Sequence, residues 1–177
     1  MRHARHIVLV GPMGAGKSHL GRLLALRMGR PFVDVDAAIE AAAGRTINAL
    51  FDSEGEAGFR RREARVLGEL LAAAPAVIAT GGGAVLAEAN RAAMRAAGTV
   101  VYLAVQPAVQ LARLSGDDTR PLLRDADAGA RLAALQASRE PLYREVADLV
   151  FDTSSLSPEA AADALAARLA TREDLPA

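Results

Sequence analysis

The 177-residue chain contains no cysteine. That excludes disulfides, thiolate metal ligands and thiol nucleophiles, and it argues against a secreted protein. Tryptophan is also absent, and aromatic residues make up only 3% of the sequence. With so many alanines, this reads as compositional bias rather than a functional signal. Net charge is missing too. The 21 Lys and Arg balance the 21 Asp and Glu, and the one run of like charge is Arg60-Arg61-Arg62. Nucleic acid and anionic membranes are therefore not expected partners. No apolar stretch approaches the ~20 residues that span a bilayer, and the N-terminus lacks a signal-peptide core. The expectation is a soluble cytoplasmic enzyme acting as a monomer.

The length fits one domain with a continuous core, and no linker, repeat or low-complexity tract divides the chain. We expect a single domain over residues 1–171 and a frayed tail over 172–177. Short apolar runs at 6–10, 32–34, 76–80, 99–103 and 148–152 read as strands. Helical periodicity lies between them at about 17–28, 36–43, 46–51, 56–73, 87–96, 107–114, 128–145 and 158–171. Strands alternating with helices predict an α/β fold with a parallel sheet covered on both faces. Ser157 and Pro158 suit a helix start. Pro141 should kink or divide the 128–145 helix near Arg139. The polar, Gly-containing stretch 115–127 has the composition of a mobile lid.

The strongest motif is Gly11-Pro12-Met13-Gly14-Ala15-Gly16-Lys17-Ser18, a G-x-x-x-x-G-K-[ST] loop. It follows the apolar run His6 to Val10 and leads into Leu20, Leu23 and Leu24 at helical spacing. Such a strand–loop–helix aims backbone N–H groups and a helix dipole at anionic oxygens. It predicts a nucleoside triphosphate site, with Lys17 on the β- and γ-phosphates and Ser18 on Mg²⁺.

Ligands of parallel sheets bind beyond the carboxyl ends of the strands. The second strand ends in Asp34-Val35-Asp36. One carboxylate near a metal and one near an acceptor hydroxyl would suit phosphoryl transfer; equally, Asp36 fits as the cap of a helix beginning at Ala37. The third strand ends in Thr80-Gly81-Gly82-Gly83, where missing Cβ atoms let a substrate approach the backbone. That strand carries no acid, so Asp34 is the best remaining acid for Mg²⁺. Of the three consecutive arginines, Arg60 borders the apolar face of its helix, and Arg61 and Arg62 are expected in solvent. His3 and His6 read as surface residues.

The ordered set of motifs resembles the shikimate kinase family over nearly the whole chain. It comprises the phosphate loop; Phe32 to Glu40; Gly44-Arg45-Thr46-Ile47; Phe51 to Glu63; Gly81-Gly82-Gly83; and Val101-Tyr102-Leu103. Arg113, Arg120-Pro121-Leu122-Leu123, Arg139 to Tyr143 and Ser157-Pro158-Glu159 complete it. The resemblance implies a three-layer P-loop fold of the nucleoside-monophosphate-kinase type, with five parallel strands in the order 2-3-1-4-5. It also implies ATP-dependent phosphorylation of the 3-hydroxyl of shikimate, a step toward chorismate and the aromatic amino acids. Matched by position, Asp36 corresponds to the acid that binds the shikimate hydroxyls and is the candidate base. Arg60 and Arg139 correspond to the pair that clamps the substrate carboxylate, and Gly81, Gly82 and Gly83 to the substrate-binding glycines. Arg120 corresponds to the lid arginine on the transferring phosphate. Gly14, Ala15, Gly16, Lys17, Ser18 and His19 correspond to the phosphate loop proper, and Arg113 and Thr153 to the adenine surroundings. Ser18 and Asp34 correspond to the surroundings of one Mg²⁺ per subunit.

His19 departs from the family pattern, which has a small hydroxyl residue there; an imidazole would substitute for it or turn outward. Two rivals remain at this stage. A gluconate kinase on the same fold would also use clamp arginines, whereas an inactive nucleotide-binding paralogue would be expected to lose Lys17, Asp36 or Arg120.

Overall fold

In the computed structural model, residues 5–115 and 127–173 are described. Five strands form one parallel sheet: β1 (His6–Val10), β2 (Phe32–Asp34), β3 (Val77–Ala79), β4 (Gly98–Ala104) and β5 (Leu149–Asp152). Their order is β2-β3-β1-β4-β5, as the family resemblance implied. Seven helices connect and cover them: α1 (Lys17–Met28), α2 (Val35–Ala43), α3 (Ile47–Leu71), α4 (Glu88–Ala97), α5 (Pro107–Leu114), α6 (Ala128–Val146) and α7 (Pro158–Glu173). None of the described helices is long and apolar enough to cross a membrane.

The strands are apolar throughout because both faces of the sheet are buried. Val8 and Val10 of β1, Ile78 of β3 and Val100 and Tyr102 of β4 point to one side. There they meet Val35 and Ile39 of α2, Phe59, Val66 and Leu67 of α3, Met94 of α4 and Tyr143 of α6. The intervening residues Ile7, Leu9, Val77, Val101 and Leu103 point the other way, onto Leu20 and Leu24 of α1 and Ala162, Leu165 and Leu169 of α7. Each large side chain so buried contributes about 1.5–3 kcal/mol.

Most expected boundaries hold within a residue or two, and β1, β2, α1 and α5 match the expected ranges. The gap foreseen between helical patterns at 51 and 56 is a break inside α3, where Gly55 has φ 69° and ψ 179°. Arg62 spans that break with two hydrogen bonds of 2.7 Å to Glu54, so it is not the solvated residue the sequence suggested. Ser157 does cap α7, its hydroxyl accepting from the Ala160 N–H at 3.2 Å. The last helix runs two residues past the expected 171.

Of the two outcomes expected at Pro141, a kink or a division, the division does not occur: α6 continues through it to Val146. The lost backbone donor is outweighed by burial beyond it, because Tyr143 and Val146 both enter the core. His6 is not a surface residue: it opens β1, is only 4% exposed, and its Nδ1 accepts from the Ala76 N–H at 3.1 Å. The room comes from Gly98, its partner across the β1–β4 pairing. A Cβ built on Gly98 would lie 2.3 Å from the His6 carbonyl oxygen, a backbone atom with nowhere to go. Gly98→Ala should therefore force β4 away from β1 and cost about 1–3 kcal/mol in urea unfolding. An unchanged midpoint would mean the pairing has slack at that position.

Candidate active site

The phosphate loop leaves β1 through three glycines with left-handed torsions, Gly11 (φ 146°), Gly14 (φ 78°) and Gly16 (φ 92°). Gly11 has a second reason to lack a side chain, since a Cβ there would lie 2.5 Å from the Leu103 carbonyl oxygen. The loop ends on buried Lys17, the first residue of α1. Its Nζ donates to the carbonyls of Gly11 at 2.6 Å and Pro12 at 2.8 Å, which holds the ammonium at the loop. One residue on, the Ser18 hydroxyl donates to Asp34 Oδ2. The other oxygen, Asp34 Oδ1, accepts from the Ala37 N–H at 3.2 Å and caps α2. The cap that Asp36 might have supplied thus belongs to Asp34, and Asp36 sits in the first turn of α2.

The residues matched to the adenine surroundings gather on the far side of the same loop. Arg113 donates to Gly14 O at 3.1 Å and to Thr153 O at 2.7 Å. Thr153 is buried, and its hydroxyl donates to Ala15 O at 3.0 Å. Gln110 adds a bond from Nε2 to Met13 O at 2.9 Å. Three side chains from α5 and the end of β5 therefore fix the loop's carbonyls. His19 is exposed on α1.

The second glycine turn follows β3. Thr80 closes that strand against β1, both its N–H (3.1 Å) and its hydroxyl (2.9 Å) donating to Leu9 O. The turn then lies beside the phosphate loop, with a Cβ built on Gly82 falling 3.7 Å from Gly11 O. None of its glycines has positive φ; what they lack is bulk. A Cβ on Gly83 would lie 2.2 Å from Arg60 Nη2. On Gly82 it would lie 3.5 Å from Arg139 Nη1, and on Gly81 3.1 Å from both Asp36 Oδ1 and Glu63 Oε2. The glycines thus make room for two arginines and two carboxyl groups around one short turn.

The turn's carbonyls are all engaged internally. Gly81 O accepts from Ala84 N and Gly83 O from Leu86 N, each at 3.1 Å, and Gly82 O accepts from the Tyr143 hydroxyl at 2.6 Å. The guanidinium groups beside the turn suit a ligand rich in oxygen acceptors, above all a carboxylate.

The structure gathers Lys17, Ser18, Asp34, Arg113 and Thr153 around the phosphate loop and Asp36, Arg60 and Arg139 around the second glycine turn, and leaves His19 exposed on α1. Arg120 and most of the predicted lid lie outside the described residues. Sequence reasoning missed three contributors: Glu63, Tyr143 and Gln110. Glu63 is 1% exposed, and its Oε1 accepts from Arg60 Nη1 at 2.8 Å. Its Oε2 is buried with no hydrogen-bond partner. Burial pushes its carboxyl up, Arg60 pulls it back, and nearby Asp36 raises it further. A signal existed, since Glu63 falls on the apolar stripe of Phe59, Val66 and Leu67 and one turn from Arg60. Tyr143 likewise lies one turn from Arg139 on α6.

A family model described as shikimate kinase matches residues 13–170. A shikimate kinase of Pseudomonas entomophila is 53% identical over 87% of this chain and 90% of its own length. One from Halorhodospira halophila is 56% identical over 86% of each. Among solved structures, a shikimate kinase from Acinetobacter baumannii in complex with shikimate superposes with a TM-score of 0.92. It is 42% identical and is matched over 98% of this chain and 96% of its own.

The buried glutamate has a measurable signature. Its raised pKa means the folded protein binds the proton more tightly than the unfolded chain. Folding stability contributed by that group is complete below the usual glutamate value of 4.5 and declines as pH rises through the folded pKa. Glu63→Gln cannot ionise and lacks the decline. In urea unfolding from pH 4 to 8, the stability of Glu63→Gln relative to wild type should rise with pH and then level off. A difference independent of pH would show that Glu63 titrates as it does in water.

Proposed function

The chain belongs to the shikimate kinase family, and we propose which of its residues transfer the γ-phosphoryl group of ATP to the 3-hydroxyl of shikimate. The reaction gives shikimate 3-phosphate and ADP, a step in the synthesis of chorismate and the aromatic amino acids. The observation that carries the assignment is the side-by-side placement of two glycine turns, one fitted to phosphate and one ringed by Asp36, Arg60 and Arg139.

Gly14, Ala15, Gly16, Lys17, Ser18 and His19 hold the triphosphate. Backbone N–H groups and the positive end of α1 face its oxygens, and Lys17 turns from the loop carbonyls to the β- and γ-phosphates. Arg113 and Thr153 border the adenine, and Arg120 reaches the transferring group. Ser18 and Asp34 fit one Mg²⁺, as paired hard oxygen donors beside the phosphate loop. The described residues hold no cluster of three acidic or histidine side chains, so phosphate oxygens and water would complete its shell. When bound, the ion neutralises charge on the β- and γ-phosphates.

On the acceptor side, Arg60 and Arg139 grip the shikimate carboxylate while the N–H groups of Gly81, Gly82 and Gly83 face its oxygens. Asp36 accepts a hydrogen bond from the 3-hydroxyl, aims that oxygen at the γ-phosphorus and takes its proton as the bond forms. The same reading takes the chain as a monomer and has one kinase domain over residues 1–171, with a lid near 115–127, at work in the cytoplasm.

Asp36→Asn keeps the shape of the side chain and removes its charge. It should lower kcat about 100-fold or more while changing shikimate affinity much less. Loss of stability with kcat intact would leave Asp36 as a structural residue of α2.

The clamp calls for a double-mutant cycle on kcat/KM with ATP affinity measured in parallel. Hydrogen bonds to charged groups contribute about 1.5–3 kcal/mol, so Arg60→Ala or Arg139→Ala alone should cost about 10–200-fold in kcat/KM for shikimate. Their losses should be less than additive, and ATP affinity should barely move. Strictly additive losses, or an equal loss of ATP affinity, would show that the two arginines do not share a carboxylate.

A further inference from the structure

One buried group near the acceptor site has no part in the steps above. Tyr143 is 1% exposed, its ring stacks on Tyr102 with centroids 5.1 Å apart, and its hydroxyl donates to Gly82 O at 2.6 Å. Gln136, two turns earlier on α6, donates to the Tyr102 hydroxyl at 3.0 Å. One face of α6 therefore carries Gln136, Arg139 and Tyr143 and is tied both to β4 and to the glycine turn.

The bond from Tyr143 falls on the peptide between Gly82 and Gly83. With glycine on both sides, that peptide can rotate with little steric opposition. Gly81 O and Gly83 O are held by backbone N–H groups inside the turn, whereas Gly82 O is held from outside by a side chain. Rotation would break the bond to Tyr143 and change which peptide dipole the turn offers a ligand beside Arg139.

We infer that Tyr143 is a positioning residue for the acceptor site, locking the Gly82–Gly83 peptide beside Arg139 in the orientation that receives the substrate carboxylate. The inference rests on the assignment of Arg139 and the glycine turn to that carboxylate. Burial raises the Tyr143 hydroxyl to about 12, so it stays a donor throughout the working pH range.

Tyr143→Phe keeps the stacked ring and removes only the hydroxyl. It should raise KM for shikimate about 3–10-fold, with kcat within about threefold and KM for ATP unchanged. The Gly83 amide should exchange its hydrogen faster, and amides of the phosphate loop should not. Arg139→Ala is measured alongside. If it raises the shikimate KM and Tyr143→Phe does not, the positioning role is overturned and the clamp survives. If Arg139→Ala has no effect on shikimate, both fall. A matching rise in both KM values with Tyr143→Phe would mark general loosening of the fold and also overturn the role.

Discussion

The parallel pairing of β1 with β3 is the constraint on which the site depends. Parallel strands end on the same edge of a sheet. In-register partners such as Leu9 and Ala79 therefore release their chains together. One chain becomes the phosphate loop and the other the Gly81–Gly83 turn. The two bonds from Thr80 to Leu9 O fix that exit on the β3 side. The proposed donor and acceptor sites lie next to each other because the strands before them are hydrogen-bonded, and no separate device is needed to bring them close.

The acceptor site mixes charges in a half-buried setting. Two guanidinium groups crowded around a glycine turn would repel each other and resist desolvation. Glu63 answers this from inside the core, giving one oxygen to Arg60 while the other lies close to Asp36 and Gly81. The arginine is held in place, and part of its charge is balanced by the carboxyl beside it. Lys17 and the loop carbonyls follow similar logic on the donor side, where the ammonium lies against full backbone acceptors.

Most of this architecture was legible from the sequence because apolar runs without alternation can satisfy only a sheet covered on both faces. The helical patterns that stop at 51 and resume at 56 bracketed the break at Gly55, and glycine marked the two ligand turns. The misread residues share a cause. His6 lies in the apolar run that defined β1, yet its polarity suggested a surface position; only its opposite number Gly98, 92 residues away, makes the burial possible. Tyr143 and Gln110 act through partners on other elements, which follow from strand order rather than local pattern, while Glu63 pairs with Arg60 on its own helix and joins the site through the burial of that face. Asp34 took the cap that Asp36 could have supplied because α2 begins at Val35, two residues before the Ala37 start that such a cap requires. The family resemblance supplied what spacing could not, the joint assignment of Arg60 and Arg139 to one ligand. The structure has both at the same turn.

The three occupied carbonyls of the glycine turn bear on inhibitor chemistry. A corner flanked by guanidinium side chains, whose carbonyls each already accept a hydrogen bond from the protein, has a marked polarity. Compounds aimed at this corner should carry carboxylates or other anions. An amine placed there would meet donors with a donor. Medicinal chemistry on this scaffold therefore has one end of the molecule decided in advance, and its freedom lies at the hydroxyl-bearing end.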